Sequence, residues 1–347
     1  MKLCRFIKQT VFCLLFLTLS QGWFIAQAAS NVPETLDEIV LRNWPLWSSS
    51  LTADVTITQL QTALGKRTIR GENAALLASL VEKLQQEQNN APVTLNTVRQ
   101  WVQKDPQLQY RSLKRMLFSR DSERPFLANN KPHFQALEIS QQGNGAILSA
   151  IGCLAYNRPQ EIKSALHRIS AEQYSVHFPS GQKAGGSIPT EGELLAHKLV
   201  LTLKDGTWAV LLYNTFEQQL GKTATPDSVQ TLWSGAPPKL YNLAPSDLSQ
   251  LRTVLKNAVN SKRIIQAVLG EKPDNPVPGL EYGQTYAVLR FDDTNDEVTL
   301  WHPHAQSFEP ADSEEAATAG YLITAGVLQL PLTDFVAIFP NLVVESK

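Results

Sequence analysis

The stretch "GAILSAIGCL", beginning at Gly145, constrains this chain more than any other. Its residues are apolar or small apart from one serine, so a helix built from it has no water-facing stripe and must be enclosed by other elements. The residues before it, "QQGN", end in the glycine and asparagine expected at a helix start. A reactive side chain is often presented in this way, because the amides and dipole at a helix N-terminus lower a thiol pKa and support an oxyanion. The first turn carries Gly145 instead, which has no side chain.

With 347 residues, 43% of them apolar, the chain can bury one large core or two moderate ones. Lys2, Arg5 and Lys8 precede the apolar run "TVFCLLFLTLS", and "AQA" ends at Ala28. Residues 1–28 are therefore expected to be a signal peptide cleaved near Ala28/Ala29, which implies an exported protein, periplasmic or extracellular. An uncleaved anchor is the alternative, but Ser20, Gln21 and Gly22 interrupt the run short of a full span. No stable membrane span is expected after cleavage. There are 31 Lys and Arg against 32 Asp and Glu, with three of the basic residues in the leader. The remainder is mildly acidic and has no dense basic patch, so no nucleic-acid partner is expected. Cys4 and Cys13 leave with the leader. Cys153 remains alone within an apolar run, which predicts a buried structural thiol rather than a reactive one.

Residues 31–125 read as a helical domain. "VTITQLQTAL" from Val55 and "VTLNTVRQWV" from Val93 share one polar/apolar rhythm, and Thr56 with Gln59 fits a capping box. Between them, Leu76, Leu77, Leu80 and Leu84 mark the apolar face of a further helix. Two helix–loop–helix units are expected. They are not calcium loops, because the spaced acidic ligands are missing. Residues 126–135 read as a linker and 136–347 as a second domain. In that domain "PQEIKSALHRIS" from Pro159, "GTWAVLLYNTFEQQLG" from Gly206 and "SDLSQLRTVLKNAVNS" from Ser246 predict helices, the last capped by Ser246 or Asp247. "QYSVHF", "HKLVLTL", "TYAVLRFD", "EVTLWHP" and "GVLQLPL" predict strands, "TDFVAIF" a short closing helix, and "GQKAGGS" a flexible excursion. Helices first and strands later define an α+β fold.

Nucleophilic chemistry at the opening stretch would need a Ser, Cys or Thr, a base and an orienting group. Ser149 lies one turn, ~6 Å, beyond Gly145, and Cys153 ~12 Å beyond it. The histidines are His133, His167, His177, His197, His302 and His304, with only "WHPH" holding a close pair. No further ligands for a metal can be named beside them, so no metal or cofactor is expected. Asp292, Asp293, Asp296 and Glu297 suggest a cation cage, although a solvated hairpin turn accounts for them equally well.

Five segments together resemble the calpain-like cysteine proteases, which have a papain-like fold. "EISQQGNGAILSAIGCLA" is similar to the family's segment in which a glutamine precedes "GDCW" and a buried helix. The resemblance puts Gln141 at the oxyanion glutamine, Gly145 at the nucleophilic cysteine and Ala146 at the tryptophan. "WAVLLYNTFEQQLGKTATPDSVQTLWSGAPPKLY" from Trp208 is similar to the family's "W-x-x-L-L-E-K-A-Y-A-K" followed by a Gly-bearing stretch and "LTGG", with Tyr213 and Asn214 in place of its charged pair. "GLEYGQTYAV" from Gly279 resembles "GL-x-x-GHAYSV" and places Gln284 at the catalytic histidine. "LWHPHA" resembles "LRNPWG" and places His302 at the orienting asparagine, with His304 and Ala305 for the Trp and Gly. The closing "DFVAIF" matches through Asp334, Phe335 and Phe339. What the resemblance implies is a helical lobe and an antiparallel-sheet lobe, following the all-helical domain, that retain the protease framework without its chemistry. A glutamine has no titrating nitrogen and cannot serve as general base. The expected function is that of an inactive protease-like protein. It would bind a peptide or protein partner through the helical domain or the vacated cleft, with Asn144, Ala146, Trp301 and His304 as lining candidates. Two alternatives stay open: a hydrolase with a rearranged site using Ser149, His302, His304 or a metal, and an unrelated exported α+β binding protein.

Overall fold

The computed structural model describes residues 35–48, 50–120, 132, 134, 137, 143–196, 206–302, 307–310 and 320–346. The expected leader, Gln141, His304 and the strand expected at 197–203 lie outside them.

The helical unit contains α1 (Leu36–Trp47), α2 (Ile57–Leu64), α3 (Gly71–Gln86), α4 (Leu95–Lys104) and α5 (Pro106–Arg120). Thr35, Thr56 and Thr94 start α1, α2 and α4, each accepting a first-turn amide; Thr35–Glu38 and Thr56–Gln59 are full capping boxes. The two segments of like rhythm meet directly: Val55 and Val93 exchange both backbone hydrogen bonds, at 2.9 and 2.8 Å, in an isolated antiparallel bridge. The core of this unit is Ile39, Val40, Trp44, Leu60 and α3, which is buried on every side from Asn73 to Val81 rather than along the single expected face.

The second part runs through α6 (Gly145–Asn157), α7 (Pro159–Ala165), β1 (Leu166–Arg168), β2 (Gln173–His177), β3 (Lys183–Ser187), α8 (Glu191–Ala196), α9 (Trp208–Leu220), α10 (Pro226–Ser234) and β4 (Lys239–Asn242). It continues with α11 (Leu248–Asn260), β5 (Ile265–Val268), β6 (Thr285–Asp292), β7 (Glu297–Trp301), β8 (Ile323–Thr324), β9 (Val327–Pro331), α12 (Leu332–Ile338) and β10 (Asn341–Val344). β1–β2–β3 form a small antiparallel sheet, and the remaining strands form a seven-stranded antiparallel sheet ordered β4-β10-β5-β6-β7-β9-β8. The fold is α+β.

Two expectations need correction. The helix expected from Pro159 to Ser170 stops at Ala165, and Leu166–Arg168 pair with β2 instead. "GQKAGGS" is not an excursion; it supplies β3, whose Gly185 passes so close to β2 that a Cβ there would lie 2.2 Å from the Tyr174 carbonyl oxygen. Glycine is required by that approach.

α6 is enclosed as its composition demands. It packs on β6 and β5 and is flanked by α9 and α10, within a core that includes Trp208, Phe216, Trp233 and Trp301. α11 and α12 cover the opposite sheet face, where Leu255, Phe335 and the following Phe339 share a core with Tyr286 of β6. β6 is thus buried on both faces from Thr285 to Leu289, which explains the unbroken apolar run in "YAVL". Gly152 lets the sheet come close to α6: a Cβ there would sit 2.5 Å from Trp301 Cε3.

The helical unit is completed by the second part. Leu195 of α8 joins its core, and Gly192 passes so near α2 that a Cβ would lie 2.6 Å from the Leu64 carbonyl oxygen. Thr190 donates its hydroxyl to that oxygen at 2.8 Å. Arg115 donates to the Leu195 carbonyl at 2.8 Å and to Glu82 and Ser79, also at 2.8 Å.

Candidate functional site

The start of α6 is built by three successive residues. Gly143 has φ +131°, a left-handed backbone that favours glycine. Asn144 caps the helix, its Oδ1 accepting from Ala146 N at 2.9 Å and Ile147 N at 3.1 Å. Its Nδ2 donates to the Lys222 and Ala224 carbonyls, and its backbone amide donates to the Tyr213 hydroxyl at 2.9 Å. Tyr213 donates in turn to Glu217 at 3.2 Å. The loop after α9 therefore holds the helix start in place, and two first-turn amides are committed to Asn144.

Gly145 faces the start of β6. An ideal Cβ on Gly145 would lie 2.9 Å from Gln284 Oε1 and 3.6 Å from the Thr285 amide nitrogen. Two residues distant in sequence thus meet between α6 and the central strand. The amide of Gln284 occupies the space that a side chain at 145 would enter. Asn144, Gly145 and Gln284 are half-buried, whereas Ala146 and Trp301 are 5% and 2% exposed and belong to the core.

His302 follows β7 and is buried on the other face of the sheet from Trp301. Its ring lies 4.4 Å from that of Tyr286 at 30°, and its amide donates to the Gly326 carbonyl at 2.9 Å. Strand alternation separates the two: Ala287 pairs with Trp301 toward α6, and Tyr286 belongs to the core under α11 and α12.

Ser149 is wholly buried in a chain of polar contacts. Its hydroxyl donates to the Gly145 carbonyl at 2.7 Å and accepts from Gln266 Nε2 at 2.7 Å. Gln266 Nε2 also donates to the Ala146 carbonyl at 2.8 Å, and Gln266 Oε1 accepts from Gln230 Nε2 at 2.9 Å. Ser149 is joined to amides, which cannot take its proton. Cys153 donates to the Ile265 carbonyl at 3.2 Å, and burial pushes its thiol up to about 12. Such a thiol is a packing group.

The acidic hairpin serves as a turn. Asp292 accepts from the Thr294 and Asn295 amides at 3.0 and 3.3 Å, Asp293 pairs with Lys256, and Arg252 donates to Asp296 at 2.8 Å. Asp292 and Asp293 titrate below the usual range, the first through its backbone hydrogen bonds and the second through Lys256. Among the described residues no group of three or more His, Cys, Asp and Glu comes together as a metal site would require.

Sequence reasoning did not single out Gln266 or Gln230. Gln266 lies in a segment without a motif and Gln230 at no matched position of its segment, and only the packed fold brings their amides to Ser149. No family model matches the chain, and no curated protein matches it.

Proposed function

We propose that this is an exported, catalytically inactive protein with a degenerate calpain-like framework, which binds an extended peptide or protein partner at the start of α6. The observation that carries the reading is the meeting of Gly145 and Gln284, with an ideal Cβ at 145 only 2.9 Å from Gln284 Oε1. A nucleophile and a base at these two positions would face one another, and the chain has neither. The buried, amide-bonded Ser149 and the buried thiol of Cys153 offer no replacement. What remains is a half-buried surface of backbone and amide groups, suited to main-chain recognition of a peptide.

The test is to incubate the purified chain with a denatured protein substrate and to measure, in parallel, its retention of immobilised unfolded polypeptide. No cleavage is expected, together with retention that weakens in Gln284→Ala. Turnover abolished by Ser149→Ala or Cys153→Ala would overturn the inactive reading. Retention indifferent to Gln284 and Asn144 would remove the binding site from this place.

A further inference from the structure

Away from α6, a cavity of about 550 Å³ lies where the helical unit meets the small sheet. Its wall carries three arginines, Arg67 and Arg70 from the α2–α3 connection and Arg168 from β1, together with Thr190, Glu191 and Thr207. Cavities of this size take small molecules rather than polymers.

The arginines are held differently. Arg67 is engaged at both ends of its guanidinium, donating to the Ile188 carbonyl at 3.2 Å and pairing with Glu172 at 3.1 Å. Among the described residues, Arg70 and Arg168 are anchored only through Nε, which donates to the Arg67 carbonyl at 2.8 Å and the Ser170 carbonyl at 3.0 Å respectively. Among the described residues neither forms an ion pair. Anchoring Nε leaves the outer Nη groups available and restrains the guanidinium before any ligand arrives, which lowers the ordering cost of binding. The carboxylate lining the cavity, Glu191, accepts from the Gly71 amide at 3.2 Å and is thereby tied to the start of α3.

We propose that this cavity binds a small molecule bearing an oxyanion, a phosphate or a carboxylate, clasped by Arg70 of the helical unit and Arg168 of the small sheet. Planar guanidinium forks match both groups and give charge-assisted hydrogen bonds. Glu191 opposes a highly charged ligand and sets the upper limit on its charge.

The test is calorimetric titration of the full chain with inorganic phosphate and, separately, with citrate, at constant ionic strength against chloride. Saturable binding of at least one is expected, and the arm that saturates identifies the ligand class. Arg70→Gln and Arg168→Gln are each expected to weaken it about tenfold or more. Glu191→Gln should tighten it, and Arg290→Gln, an exposed arginine on β6, should leave it unchanged. Circular dichroism checks that each variant is folded. Affinity weaker than about 1 mM for both anions overturns the proposal. So does binding that is insensitive to Arg70 and Arg168, or equally sensitive to Arg290.

Discussion

Placing a cysteine at 145 and a histidine at 284 is the sharpest test of the proposed α6 site. In a chain with Cys4 and Cys13 changed to serine, Gly145→Cys introduces a Cβ 2.9 Å from Gln284 Oε1. That oxygen ends a flexible side chain, so rotating the amide relieves the overlap at a cost of about 1 kcal/mol or less. Adding Gln284→His sets an imidazole against the new thiol. A helix-start thiol beside an imidazolium ionises about one to several units below the free value of about 8.5, each unit corresponding to about 1.4 kcal/mol. The single variant lacks the imidazole, and Asn144 already engages the amides of Ala146 and Ile147. Its thiol is therefore expected to ionise at least about one unit higher than in the double variant. The pH dependence of iodoacetamide alkylation, followed by intact mass, reads the difference. Coincident profiles for the two variants would mean that position 284 does not face position 145, and the site reading would fall.

Four further outcomes are expected. Native Cys153 should resist alkylation at neutral pH and react only on unfolding, because burial holds its thiol near 12; fast native labelling would contradict this. Arg158→Met leaves Glu345, 1% exposed and bonded to Arg158 at 2.8 Å, with only the Ile264 amide at 2.9 Å and no charged partner among the described residues, and should cost about 3–5 kcal/mol in urea unfolding. Burial outweighs Arg158 and raises the Glu345 pKa, so its stabilising contribution is full below about 4.5 and is lost as pH rises through the folded value; Glu345→Gln should flatten that slope. Gly152→Ala drives a Cβ to 2.5 Å from the Trp301 ring, and overpacking of about 1–3 kcal/mol should outweigh a helix-propensity gain of about 1 kcal/mol, lowering the urea midpoint.

Elements with a local signal were legible in the sequence. β6 spans "TYAVLRFD", α9 lies within the expected helix, and Thr56 with Gln59 forms its box, because alternation, apolar faces and caps are written in adjacent residues. β10 and β4 carried no such signal: each is four residues long, and they exist because neighbouring strands accept them. β3 was read as an excursion because its glycines suggest freedom, whereas contact with β2 is what demands them. At the α6 start, Asn144 and Gly145 stood out in the sequence, but the capping bonds and the proximity of Gln284 arise from packing. The opposite facing of His302 and Trp301 follows from strand register, which adjacent letters do not fix.

The lodging of α8 in the helical unit bears on how this chain is made. During synthesis the five described helices of the helical unit emerge well before Leu195, so their apolar groove must wait, part-filled, until the later segment arrives. A cut placed at the apparent boundary would strand one half without its plug and the other with an orphaned greasy peg. The two halves are best regarded as co-dependent during biogenesis, and any recombinant fragment of the first should carry residues 188–196 with it.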